Sequence, residues 1–185
     1  MSELDKLRIF YRLKSVYRFN SVEKRKESSA EHSWSCLVLA DYFLGMIKQK
    51  LDKTKVYELL IYHDLVEIYA GDVNILDTEK RKYKKANEHK ASLRLKEELP
   101  KPINSKFLAL FSEFEEQKTL EAKFCKAIDV LDAEIHELDN KKDWKGWTDE
   151  FIREKKEIYF KEFPEMKVVF EEVMAFAWEN GYFEN

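Results

Sequence analysis

Apolar residues recur at three- and four-residue spacing along most of this chain, a rhythm that predicts helix after helix. Leu4, Leu7, Phe10, Tyr11, Leu13 and Tyr17 outline an amphipathic helix over about residues 3 to 19. A charged connection from Ser21 to Glu27 follows, carrying Lys24, Arg25 and Lys26. Ser28 or Ser29 can cap the next helix, with Glu31 close enough for a capping interaction. That helix, about 29 to 49, is apolar almost all round from Trp34 to Ile47, the pattern of a helix at the centre of a bundle. A third helix is expected over about 54 to 70. Residues 78 to 98 read as a surface helix with a thin apolar thread through Tyr83, Ala86, Leu93 and Leu95, and its basic run Lys80 to Lys85 as a solvated face. Pro100 and Pro102 end it. Further helices are expected at about 104 to 116, 119 to 139, 148 to 161 and from Pro164 to about Gly181. No convincing period-two strand, repeat or linker interrupts the series. The expected fold is all-α, one domain over residues 1–185.

Composition narrows the classes. Only 4 glycines and 3 prolines agree with a helical chain, and 44% apolar against 37% charged residues is too apolar for disorder. A net charge of −3 gives no general pull toward nucleic acid or an anionic membrane. Cys36 and Cys125 lie in apolar helical patterns outside any close-spaced cysteine motif. No signal peptide is expected from the first residues, and the longest apolar run, Leu37 to Met46, is broken by Asp41 and too short to span a bilayer. A cytoplasmic protein is the expectation. Trp34, Trp144, Trp147 and Trp178 read as core or interface residues rather than stacking platforms.

Candidate chemistry concentrates in Leu59 to Val73, LLIYHDLVEIYAGDV. At about 100° per residue, His63, Asp64 and Glu67 share one arc of the helix, Glu67 falling between the other two. Charged and imidazole groups on a buried face are costly unless they hold a cation or do chemistry. The stretch therefore reads as half of a metal site with catalytic carboxylates beside it. The other ligands must come from elsewhere, and His32 near the start of the central helix is a candidate. On the helix at 119 to 139, Asp132 flanks the main stripe of Phe124, Ile128, Leu131, Ile135 and Leu138. Asp129 lies on a second stripe with Ala122, Cys125, Ala133 and His136, whose small residues would let it face inward too. Periodicity leaves both aspartates open.

The set His32, His63-Asp64 and Asp129 resembles the H…HD…D pattern of the HD-domain superfamily of metal-dependent phosphohydrolases. AEHSW from Ala30, HDLVEIYAGD from His63, the Arg18-aromatic pair and EAKFCKAID ending at Asp129 are similar to its branch of bacterial 5′-deoxynucleotidases and their relatives. The matching covers about residues 7 to 139. The resemblance implies that His32, His63, Asp64 and Asp129 bind one divalent cation, and that Glu67 activates or orients the attacking water. It implies that Arg18 holds the phosphate, that Asp72 meets the sugar or leaving-group side, and that Phe19 packs against the sugar. Arg25 or Lys26 could add a phosphate contact. Two imidazoles and two carboxylates suit Mn, Fe, Co, Ni or Zn better than Ca or Mg. A second metal would need more histidines between His63 and Asp129, where only His89 occurs. Asp132 and His136 would support the surroundings. The implied activity is hydrolysis of nucleoside 5′-monophosphates, deoxyribonucleotides above all, with a homodimer as the usual assembly and the aromatic-rich termini as its interface. The alternatives are an HD hydrolase of a triphosphate, cyclic nucleotide or alarmone, and a non-catalytic metal- or nucleotide-binding helical domain.

Overall fold

The computed structural model describes residues 1–183. Its helices are α1 (Glu3–Phe10), α2 (Ser29–Leu44), α3 (Lys53–Tyr62), α4 (Glu67–Ala70), α5 (Thr78–Glu98), α6 (Lys101–Glu116), α7 (Leu120–Glu137), α8 (Asp149–Lys156) and α9 (Pro164–Glu179). Short 3₁₀ turns at Tyr11–Ser15, Lys141–Trp144 and Glu157–Phe160 join some of them. The all-α expectation holds, and α7 takes the middle of the bundle, packed against α2, α3, α6 and α9. Both of its stripes face inward: Phe124, Ile128 and Leu131 on one, Ala122 and Cys125 on the other, are all fully buried. The helix read as central, α2, instead buries one side and leaves Trp34, Val38 and Tyr42 exposed along the other. Among the described residues no helix is long and apolar enough to cross a membrane.

Two departures from the periodicity shape the site. The first helix stops at Phe10, and Tyr17–Val22 and Arg25–Ser28 form an antiparallel hairpin, β1 and β2, where a helix end and a charged connection were expected. Val22 pairs with Arg25, and Glu23 takes the left-handed conformation (φ 53°) at the turn. β1 alternates apolar with polar residues only over Tyr17–Asn20, β2 does not alternate, and Glu-Lys is not the Asn-Gly or Asp-Gly pair that advertises such a turn, so the local signal is too short to outweigh the helical one. The second departure is at His63, where the helix expected to run to about residue 70 breaks. Leu65, Glu67 and Ile68 donate to the carbonyls of Tyr62, Asp64 and Leu65, each three residues back.

Smaller corrections follow from burial. In α5 only Leu95 of the expected thread is buried; Tyr83, Ala86 and Leu93 are exposed, and Ala91 and Ser92 face inward instead. Trp144 and Trp147 are core residues whose indole N–H groups donate to the carbonyls of Glu137 and Asp143, both at 2.9 Å. Trp34 and Trp178 are about two-thirds exposed, at 67% and 66%, and belong to no core. Leu4, Leu7, Tyr11 and Phe176 near the termini are exposed as well.

Candidate metal centre and cleft

Ser28 caps α2: its Oγ accepts from Glu31 N at 3.3 Å, and Glu31 Oε2 accepts from Ser28 N at 2.9 Å. That leaves Ser29 free, and its hydroxyl donates to Glu67 Oε2 at 2.6 Å. One turn into α2, the His32 ring lies between two α7 carboxylates, with Nδ1 2.8 Å from Asp132 Oδ2 and Nε2 3.0 Å from Asp129 Oδ1. Ser35 Oγ donates to the same Asp132 oxygen at 2.8 Å. Asp132 thus fixes the ring from behind and leaves Nε2 aimed forward, the arrangement that orients ligating histidines. This packing separates the two aspartates that periodicity could not: Asp129 lines the cleft in front of Nε2, and Asp132 lies behind the ring.

His63 is held more tellingly. Its Nδ1 lies 2.7 Å from the Leu60 carbonyl, which can only accept, so this nitrogen carries the proton. In the neutral ring Nε2 is the lone-pair acceptor, and it is buried with no hydrogen-bond partner. It points toward Asp64 Oδ2 at 3.3 Å, and His32 Nε2 is 3.8 Å from the same oxygen. Two imidazoles and two carboxylates therefore converge, with the His63 lone pair left unmet among them, an arrangement that a cation satisfies and that is otherwise costly. Cys36 is also within 4.8 Å of both imidazoles, but its sulfur is 3.7 and 3.5 Å from the two His32 nitrogens, against the ring rather than ahead of Nε2. Burial pushes its thiol up to about 12.

The tight winding after His63 changes the helical wheel. With bonds reaching three residues back, side chains at i and i+3 eclipse, so Glu67 stands over Asp64 rather than between it and His63. Burial, reinforced by Asp64, raises the Glu67 carboxyl well above the ordinary range. Although burial works against charge on Asp64, the positive charge facing it, the Arg18 guanidinium included, holds it below its ordinary value. Arg18 projects from β1, its Nη1 donating to Asp64 Oδ2 at 3.2 Å, with Nε 3.4 Å from Glu27 Oε2. Glu27 also pairs with His136 at 3.0 Å. Gly71 closes α4 with φ 73° and ψ 157°, a conformation that only glycine adopts readily, and this turns Asp72 toward the cleft. Burial raises the Asp72 carboxyl as well.

All these groups open on one cleft of about 200 Å³. Arg18, Phe19, His63, Asp64, Glu67, Asp72 and Asp129 line it. His32 stands behind them, fully buried. Arg25 and Lys26 do not line it: Arg25 pairs with Glu31, and Lys26 with the Phe19 carbonyl and Asp143. Lys126, which no sequence signal singled out beyond its place one turn before Asp129, reaches Asp129 Oδ2 at 2.8 Å and lines the cleft. Lys84 and Arg81, read as a solvated face, line it too, Lys84 paired with Glu88. His89 is exposed on α5.

Comparison with known proteins agrees with this geometry. The HD domain family model matches residues 10–167. The 5′-deoxynucleotidase HDDC2 of Bos taurus is 32% identical over 144 residues, 73% of this chain and 68% of that protein. Its Homo sapiens counterpart is 30% identical over 148 residues, 76% of this chain and 71% of that protein. The crystal structure of a predicted metal-dependent phosphohydrolase from Magnetospirillum magnetotacticum MS-1 superposes with a TM-score of 0.87 at 26% identity, covering 99% of this chain and 97% of that one. A family model spanning most of the sequence, joined to a buried nest of imidazoles and carboxylates, places this chain in the HD-domain family of metal-dependent phosphohydrolases.

Proposed function

We propose that this chain hydrolyses nucleoside 5′-monophosphates, deoxyribonucleotides in preference, with His32, His63, Asp64 and Asp129 holding one divalent transition metal. The observation that carries the reading is the buried, unpartnered Nε2 of His63, aimed at the carboxylates beside His32. The HDDC2 relatives, 5′-deoxynucleotidases by name, support the substrate class. Lewis-acid and water-activating chemistry is what a divalent cation would supply there, and the mixed nitrogen–oxygen donors favour Mn, Fe, Co, Ni or Zn.

The chain's own residues do the rest. Glu67, oriented by Ser29 and raised by burial, takes a proton from the attacking water. Arg18 and Lys126 bring positive charge to the phosphoryl oxygens from two sides of the carboxylate cluster. Asp72 meets the leaving side and returns a proton to the 5′ oxygen as the phosphorus–oxygen bond breaks, so the products are a nucleoside and inorganic phosphate. Phe19 packs on the sugar. The cysteines Cys36 and Cys125 are free and buried, which suits a cytoplasmic setting. The bare apolar stripe of α2 supports a homodimer.

Phosphate release from deoxynucleoside and ribonucleoside 5′-monophosphates and from an aryl phosphate, with and without added metal, tests the function. Metal-stimulated release from the deoxynucleotides is expected. No release from any monoester overturns the reading, and a diphosphate or triphosphate product redirects it to another HD hydrolase.

A further inference from the structure

Three cleft residues on α7, Asp129, Ala133 and Glu137, follow one another at four-residue spacing and so share one face of the helix. The helical rise puts Glu137 about 12 Å along the axis from Asp129. That distance is comparable with the reach of a nucleoside monophosphate from phosphorus to the outer edge of its base. Ala133 between them presents only a methyl group. With phosphate at the Asp129 end, the sugar passes Ala133 and the base arrives at Glu137.

The far end is built to be polar yet is not satisfied by the protein. Glu137 is only 4% exposed, and its Oε2 is buried with no hydrogen-bond partner. Its main chain is pinned by the Trp144 indole, which donates to the Glu137 carbonyl at 2.9 Å. The neighbouring cation, Lys156, gives its hydrogen bond to Glu134, not to Glu137, and lies 4.8 Å over the Trp147 ring. A buried carboxyl left without a partner costs stability that a ligand hydrogen bond can return.

We propose that Glu137 is the specificity-determining residue of the cleft, its carboxyl pairing with the adjacent donor and acceptor on the edge of a nitrogen heterocycle, the nucleobase of the substrate. This rests on the monophosphate reading above. Burial, with Glu134 alongside, pushes the carboxyl up to about 8, so at neutral pH it offers one O–H donor and one C=O acceptor. Such a pair fits the amidine edge of adenine or cytosine and, reversed, the imide edge of thymine or uracil and the lactam edge of guanine. The residue therefore reads the presence of a base and accepts several.

The test compares kcat/KM for dCMP and for 2-deoxyribose 5-phosphate, which lacks a base, in the metal-loaded wild type, Glu137→Met and Glu137→Gln. The wild type should favour dCMP by at least about tenfold, as expected where a buried polar group is left unpaired by the lesser substrate. Glu137→Met should lose that preference through a raised KM for dCMP, while 2-deoxyribose 5-phosphate changes by less than about twofold. Glu137→Gln, which keeps one donor and one acceptor, should stay within about threefold of the wild type on both. A wild type indifferent to the base, an equal loss on both substrates in Glu137→Met, or a Gln variant as impaired as the Met variant each overturns the proposal. If the wild type hydrolyses neither compound, the monophosphatase reading fails by itself. Calorimetric binding of the same two compounds then decides the base reading: tighter binding of dCMP that Glu137→Met abolishes upholds it, and equal affinities overturn it.

Discussion

At the scale of single residues, what matters is which hydrogen-bonding atoms the fold leaves unspent. Ser29 and Asp132 use theirs to aim Glu67 and His32, whereas His63 Nε2 has no partner to spend its lone pair on. Glu67→Gln should therefore lower turnover by about 10²–10⁴-fold, the usual worth of a positioned proton acceptor, with the metal content unchanged. Loss of metal in that variant would make Glu67 a ligand instead. His136 carries a separate prediction. Its bond to Glu27 raises its proton affinity above the ordinary value of 6.5. A histidine raised in the folded state contributes stability that is full below about pH 6.5 and fades as pH climbs through the folded value. Urea unfolding should show His136→Gln least stable, relative to the wild type, in mildly acidic buffer, and the gap should close at alkaline pH. A gap that widens with pH would refute the pairing. The residue types of the site were legible, because an His-Asp pair, a lone histidine and a helix aspartate are unusual in apolar surroundings. The roles of Ser29 and Lys126 were not, since serine and lysine are ordinary at a helix start and on a helix surface.

At the scale of elements, the helices were legible and their interruptions were not. Alternation at 3.6 residues is a local property and survives in the sequence; the break at His63 and the hairpin at 17 to 28 are settled by what packs against them. Both interruptions serve the cleft. The hairpin carries Arg18 and Phe19 to its wall, and the tight turn after His63 stacks Glu67 over Asp64. Gly71 does the same for Asp72. A methyl added there would meet nothing within 4 Å, so Gly71→Ala is opposed by backbone strain alone. It should cost roughly 1–3 kcal/mol in denaturant unfolding and depress activity by turning Asp72 away. A variant as stable and active as the wild type would show that the backbone can adopt another path.

At the scale of the whole molecule, the nest of imidazoles and carboxylates joins α2, the α3–α4 junction and α7, so a cation bound there should tie these elements together. Cation at about 100 times its Kd should stabilise the fold by roughly 2.7 kcal/mol, read as a rise in melting temperature that a chelator reverses. His63→Ala should abolish that rise, and metal analysis should return about one ion per chain. A stoichiometry near two, or an undiminished rise in the variant, would count against a four-ligand site. The same scale explains why α2 was misplaced: an apolar helix belongs either at a bundle's centre or against an interface, and its own residues do not say which.

By itself, the sequence determined the helical class and the spacing of the apolar stripes, and it made His32, His63 and Asp64 candidates, because these depend on neighbours three or four residues away or on side-chain chemistry alone; Asp129 came only with the family resemblance. Tertiary structure decided which aspartate of α7 faces His32 Nε2, where the helices break, and that Lys126 and Glu137 line the cleft at all. Those outcomes turn on contacts between segments far apart in the chain, and no local rhythm records such contacts.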